Sequence, residues 1–399
     1  MSRSYINSVT RQTASARIAA LFPRSYEGSR ARFRQNLDRI QQFWPSARLV
    51  SHRISSAEGL TIDWIEANPL TSCERLLILT TGEHGVEAYV GSAVMQVMID
   101  EFLHRLHPGT TGLLLVHAIN PWGMKYRRRV NSQNVDLNRN FLWSEAAPGI
   151  DAGYEPAYNP HYDRLSPLLN PQKPVRNQLI SKAGFAYRML RSLLGNGPSV
   201  VWNYSVMGQY HEPRGIYYGG SQLEEETQVL VDLFRRQIQP YRQILFLDMH
   251  TGCGPRYQMS LVNSAIETRE SAKLAAEFHY PAVLKANKEE FYEIQGDMLD
   301  YLYHLVFEEF PDTGLYATAF EFGTFGNSWL AELRDLRITI LENQLYWYGS
   351  HSDKTRAWIG REYEQLYFPS ESKWRAKAII DARRAFEGIL RAEGFFYII

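Results

Sequence analysis

Four short stretches carry residues whose types and spacing can do chemistry. Gly82-Glu83-His84-Gly85-Val86-Glu87 sets an imidazole and a carboxylate three positions apart, and zinc takes either group at about 2.0–2.2 Å, so one ion could hold both. Alone the spacing says little: with 11 His and 43 Asp plus Glu in 399 residues, it is expected about once by chance. Asp248-Met249-His250-Thr251-Gly252 offers a second imidazole, which by itself reads equally well as a core histidine. The run from Arg127 to Phe141, RRRVNSQNVDLNRNF, brings guanidinium and amide donors together. That combination grips a carboxylate from two directions, although Arg127 and Arg128 read more plainly as a solvated charge run. In Ala317-Thr318-Ala319-Phe320-Glu321-Phe322 one acid sits among apolar neighbours. Burial there raises a carboxyl toward the range of a general base, unless an ion pair holds it down.

The elements around these stretches put them in comparable places. RLLILTT (75–81), GLLLVHAI (112–119), RQILFLDMH (242–250) and TGLYATAFEFGTF (313–325) are short apolar runs, as expected of strands buried on both faces, and 86–106 has helical periodicity. Strand, helix, strand predicts an α/β fold with right-handed parallel crossovers, and ligands then sit at the carboxyl ends of the strands. His84 and His250 both lie at such ends. LVSHRIS (49–55) and LTIDWIEAN (60–68) read as an antiparallel pair. Residues 1–45 and the last fifty are helical in pattern, and the proline-rich 143–175 reads as a long irregular excursion. The expected organisation is an N-terminal helical segment (1–45), a catalytic domain (46–350) and a C-terminal helical extension (351–399).

Hydrophobic residues make up 45% and charged residues 22%, which excludes disordered and fibrous classes. Lys plus Arg equals Asp plus Glu at 43 each, so nothing global draws the chain to nucleic acid or to a membrane. Any charge-guided function must be local. Two cysteines fit a reducing compartment. With no apolar leader run and no stretch of about 18 apolar residues, a cytoplasmic location is expected.

In order and in strand-end placement, the four stretches resemble the zinc metallocarboxypeptidase family over roughly residues 45–345. The wording GEHGVEAYVGSA, RRVNSQNVDLNRNF and GQYHEPRGIYYGG looks more like a poorly characterised bacterial branch than the secreted digestive enzymes. The resemblance implies a three-layer α/β sandwich with a central mixed, mostly parallel sheet flanked by helices. It implies one Zn²⁺ per chain on His84, Glu87 and His250, with Glu321 as general base. Asn138 and Arg139 match the pair that holds a terminal carboxylate, and Arg129 matches the carbonyl-polarising arginine, with Arg128 as the competitor.

Asp248 could support His250 if the strand stays regular there, and a His250/Cys253 metal pair is conceivable. The family's capping tyrosine cannot be chosen among Tyr257, Tyr292, Tyr301 and Tyr303. Residues 208–220 read as a loop, or as a cleft wall using Tyr210, His211 or Arg214. The implied substrate is a small peptide or an N-acyl amino acid with a free carboxylate. Zinc deacylases of the aspartoacylase and succinylglutamate desuccinylase kind share Gly-x-His-Gly-x-Glu and D-L-N-R, but there a small β-rich domain follows, whereas here the chain after Glu321 reads as helices. A non-catalytic zinc or peptide-binding module is the third reading.

Overall fold

The computed structural model describes residues 16–55, 59–142, 159–287 and 294–397. Among these, one sheet contains β1 (Arg48–Arg53), β2 (Thr61–Ala67), β3 (Arg75–Thr81), β4 (Thr111–His117), β5 (Gln243–Gly252), β6 (Met259–Asn263), β7 (Val283–Lys285) and β8 (Gly314–Gly323), in the order β1-β2-β4-β3-β5-β8-β6-β7. The central four, β4, β3, β5 and β8, are parallel to one another. β1, β2 and β4 pair antiparallel in succession, and β6 runs antiparallel to β8 and parallel to β7. Helices pack against the sheet, so the fold is the α/β class with the mixed sheet that the sequence implied.

The four apolar runs became strands because continuous Leu, Ile and Val cannot be solvated on either face; the antiparallel pair formed as well, with β1 partly exposed at the sheet edge. β6 and β7 were not anticipated. MSLVN and VLK are too short for a periodicity to show; β6 adds antiparallel to the edge of β8, and β7 adds parallel to β6. The expected irregular excursion over 143–175 is corrected in its second half: Pro160–Leu169 is a helix, and residues 143–158 lie outside those described. The Asn159 side chain caps it by accepting from Tyr162 N–H, and Pro160 sits in the first turn, where the missing N–H costs nothing.

The main core takes in both ends of the described chain. Helix Tyr26–Gln41 contributes Tyr26, Phe33 and Ile40, and helix Ser372–Ala392 contributes Trp374, Ile379, Phe386 and Ile389. A second cluster joins the 160–217 region, through Tyr162, Leu165, Phe185 and Met189, to Leu336 and Ile340 of helix Trp329–Tyr348.

His117, fully buried at the end of β4, ties helix Tyr26–Gln41 to the sheet. Its Nε2 lies 2.8 Å from Ser29 Oγ, which is 2.7 Å from Ser92 Oγ, and Phe33 stacks on the ring. Burial brings the imidazole down to about 4; the attraction of Asp63, facing it across the β2–β4 ladder, does not offset this, and Arg32 and Arg30 push the same way. The folded value is therefore below the unfolded one, so stability is full above pH 6.5 and is lost as pH falls toward 4, by roughly 3 kcal/mol. Urea unfolding of wild type and His117→Gln across that window should show wild type losing about that much more than the variant. Equal slopes would mean that His117 does not titrate in this way.

Candidate metal centre and cleft

β3 ends at Thr81, and the chain turns through Gly82, at φ 77°, into the segment carrying His84 and Glu87. At Gly85 it passes so close to the helix Pro121–Tyr126 that a Cβ would lie 2.2 Å from the Gly123 carbonyl carbon. Only glycine allows the approach by which Gly85 N–H and Val86 N–H donate to the carbonyls of Arg129 and Arg128 at 3.1 and 2.9 Å. This stitch fixes the Glu87 turn against the arginine segment. On the other side, β5 and β8 stay in parallel register through their ends, which sets His250 beside Glu321.

His84, Glu87 and His250 converge. His84 Nδ1 is 3.1 Å from Glu87 Oε1, the two Nδ1 atoms are 3.2 Å apart, and His250 Nδ1 is 3.4 Å from Glu87 Oε2. The opposite ring nitrogens are engaged elsewhere. His84 Nε2 lies 3.0 Å from Asp136 Oδ1, and His250 Nε2 lies 2.5 Å from Asp248 Oδ2. Asp248 shares a strand face with His250 because β5 remains regular, and Thr80 Oγ1 donates to its other oxygen at 2.5 Å. All five side chains are buried.

Glu83 also lies close: it offers a ligand atom within 4.8 Å of those from His84 and His250, and its Oε2 is 3.4 Å from His250 Nε2. It faces the ring edge that Asp248 holds, away from the paired Nδ1 atoms. Burial and then the neighbouring Asp248 charge push its carboxyl well above the ordinary value, so it favours its neutral form. Glu87 is the opposite case. Burial alone would raise it, but the charges and hydrogen bonds of His84, His250 and Arg129 outweigh burial and bring it down to about 2. It also accepts from Thr251 N–H at 2.7 Å and from Arg129 Nη1 at 3.2 Å. Of the two carboxylates, Glu87 faces the paired Nδ1 atoms and Glu83 the opposite edge of the His250 ring.

His84, Glu87 and His250 line a cavity of about 600 Å³ together with Arg129, Asn138, Arg139 and Glu321. Burial, and next the charge of Glu87, raise Glu321 to about 8, against the pull of His250, the Cys253 N–H and Arg129. That N–H donates to Glu321 Oε1 at 2.9 Å. Arg129 Nε donates to Asp136 Oδ2 at 2.9 Å. Arg139 is 1% exposed: its Nη1 donates to Asn138 O and its Nη2 to Val206 O, both at 2.7 Å. Each of those nitrogens keeps a second hydrogen. Asn138 Oδ1 accepts from Met298 N–H at 3.1 Å, which leaves its amide hydrogens for the cavity.

Some expectations need correction. Arg128 is not solvated but buried, paired with Glu342 at 2.8 Å and with its guanidinium 3.7 Å from the Tyr346 ring centroid. It does not line the cavity and Arg129 does. Within 208–220 the wall is made by Tyr217, not by Tyr210, His211 or Arg214. Tyr301 and Tyr303 are core residues, Tyr257 hydrogen-bonds Glu371, and Tyr292 lies outside the described residues. The cavity's tyrosines are Tyr217 and Tyr367.

Sequence reasoning passed over Asp136 and Glu83. Asp136 had a signal, since it stands two before Asn138 in the D-L-N-R-N stretch and histidine ligands commonly need a carboxylate behind them. Which of 43 acids would fill that place could be decided only in space.

Among curated proteins, none matches this chain. Solved structures with a similar chain path include bovine thrombin-activatable fibrinolysis inhibitor in complex with tick carboxypeptidase inhibitor (14% identity, TM-score 0.43, covering 81% of this chain and 95% of that one). Others are the carboxypeptidase A from Helicoverpa armigera (14%, 0.42, 86% and 73%) and an aspartoacylase family protein from Mesorhizobium loti (15%, 0.33, 76% and 68%). At these identities and scores the likeness carries nothing about chemistry, which has to come from the side chains. One family matches residues 22–381, nearly the whole chain, and to it this chain belongs: the family described as "Protein of unknown function (DUF2817)".

Proposed function

We propose that this chain is a zinc-dependent hydrolase that cleaves a peptide or amide bond next to a free carboxylate, holding one Zn²⁺ on His84, Glu87 and His250. The observation that carries this is the buried triangle of two Nδ1 atoms and one ionised carboxylate, 3.1–3.4 Å on a side, opening on a cavity that also contains Glu321. Two imidazoles and one carboxylate form the three-ligand set that suits a catalytic zinc. The carboxylates behind both rings orient them with Nδ1 toward the shared point, where a cation would displace any proton held there. A bound cation would supply Lewis acidity, lowering the pKa of a water and polarising a carbonyl.

The chain's own residues supply the rest. Glu321, held by the Cys253 N–H and kept basic by burial, takes a proton from the attacking water and returns it to the leaving amine. Arg129, oriented by Asp136 and Glu87, presents positive charge where the oxyanion develops. Asn138 and Arg139 offer their unused hydrogens to the substrate carboxylate, with the Tyr217 ring 5.6 Å from the Arg139 guanidinium. After β8 the described chain continues in three long helices, Trp329–Tyr348, Asp353–Tyr367 and Ser372–Ala392. That supports the peptidase reading over the deacylase one.

Purified protein should bind about one equivalent of zinc by calorimetry, and chelation should abolish hydrolysis. Asp136→Asn should weaken zinc binding about 10–100-fold, while unchanged affinity would remove Asp136 from its supporting role. Glu321→Gln should keep its zinc and lose about 10²–10⁴ in kcat/KM on whichever substrate is active in a panel of N-blocked dipeptides and N-acyl amino acids. Full activity in that variant defeats the assignment of Glu321, and turnover of the acyl amino acids alone transfers the chain to the deacylases.

A further inference from the structure

The segment that walls the cavity through Asn203, Ser205, Val206 and Met207 has a second, outward face. From Arg164 to His211 the sequence contains no Asp or Glu, although 43 of 399 residues are acidic and about five would be expected in that length. It contains Arg164, Lys173, Arg176, Lys182, Arg188 and Arg191. The neutral total of the chain conceals this local excess.

Helix Gln178–Asn196 turns Phe185, Met189 and Ser192 inward. At 100° per residue, Leu179, Ile180, Ala183, Tyr187, Leu190 and Leu194 form an arc on the opposite side. All six are exposed, Leu194 to 80%, Leu179 to 78% and Tyr187 to 65%. A surface helix ordinarily turns its polar side to water; this one turns an apolar side. Lys182 and Arg191 border the arc on its two edges and are exposed, as are Lys173 and Arg176 just before the helix, and none of the four is in an ion pair among the described residues.

We propose that this face docks the protein on an anionic phospholipid bilayer, with the apolar arc at the acyl boundary and the flanking cations among the headgroups. Apolar residues bordered by Lys and Arg are the arrangement of helices that lie in a membrane interface. A second copy is disfavoured, because pairing two such helices would oppose Lys182 and Arg191 to the same cations with no acid between Arg164 and His211 to neutralise them. The docking is interfacial, since no helix among the described residues is long and apolar enough to cross a membrane. Whole-chain neutrality suggests no membrane partner; the proposal departs from that expectation on the local charge of this segment alone.

The test is co-sedimentation of the full chain with vesicles of phosphatidylcholine plus phosphatidylglycerol, and with phosphatidylcholine alone, alongside sedimentation velocity without lipid. Wild type should bind the anionic vesicles, release them as salt is raised, and bind the neutral ones weakly. Lys182→Glu with Arg191→Glu, and separately Leu190→Asp with Leu194→Asp, should each weaken binding about tenfold or more with circular dichroism and zinc content unchanged. Wild type that ignores anionic vesicles, or variants that bind as well as wild type, overturn the proposal. So does a wild-type dimer that the leucine variant dissociates without any lipid binding, which would assign the face to a second copy. Binding to an acidic helical peptide but not to vesicles would assign it to a protein and overturn the proposal equally.

Discussion

Two buried carboxylates, each behind one imidazole, are the constraint on which the arrangement depends. Asp136 and Asp248 engage the Nε2 atoms of His84 and His250, so both rings are left with Nδ1 facing inward. Without them each ring could turn or change tautomer, and the point shared with Glu87 would be lost. The cost of burying this much charge is met collectively. Asp136 is desolvated, yet Arg129, His84 and Arg139 together hold it well below its ordinary value, and burial likewise fails to neutralise His250 because Asp248 stands against it. Arg129 belongs to both sets, since it touches Asp136 and Glu87. A single guanidinium thus links the support of one ring to the carboxylate that completes the triangle.

That electrostatic network needs a rigid frame, and the sheet supplies it. β3 and β5 are adjacent and parallel, so their ends bring His84 and His250 together although 166 positions separate them in sequence. β8 adds Glu321 from the next position. The turn after β3 is held where Gly85 lets two backbone amides reach the Arg128 and Arg129 carbonyls. The 160–217 region then closes the cavity from outside, packed on helix Trp329–Tyr348 by its own small core. One segment therefore shapes the cleft and also presents the basic, apolar outer face.

Much of this was legible before any coordinates. The four central strands announced themselves as apolar runs, because a parallel strand buried on both faces has no polar alternation to obscure it. His84 and His250 could be placed at strand ends for the same reason, and Glu321 could be recognised as an acid in apolar surroundings. Harder to read were residues whose meaning depends on a partner remote in sequence. Arg128 and Arg129 are adjacent and chemically identical, yet one is paired with Glu342 away from the cavity and the other faces Glu87. Tyr217 rather than Tyr210 lines the cleft, and its backbone is left-handed, with φ at 55°, which no residue type signals.

Sequence by itself determined the chemistry available: which donors exist, which runs are continuously apolar, that acids are missing between Arg164 and His211 although the whole chain is neutral. Those are properties of residue type and spacing, and they survive in the unfolded chain. Only the tertiary structure decided which carboxylate stands behind which imidazole, which arginine enters the cleft, and which side of helix Gln178–Asn196 meets water. The physical reason is that hydrogen bonding and charge pairing act over a few ångströms, and a linear pattern does not specify which distant groups the sheet will bring that close.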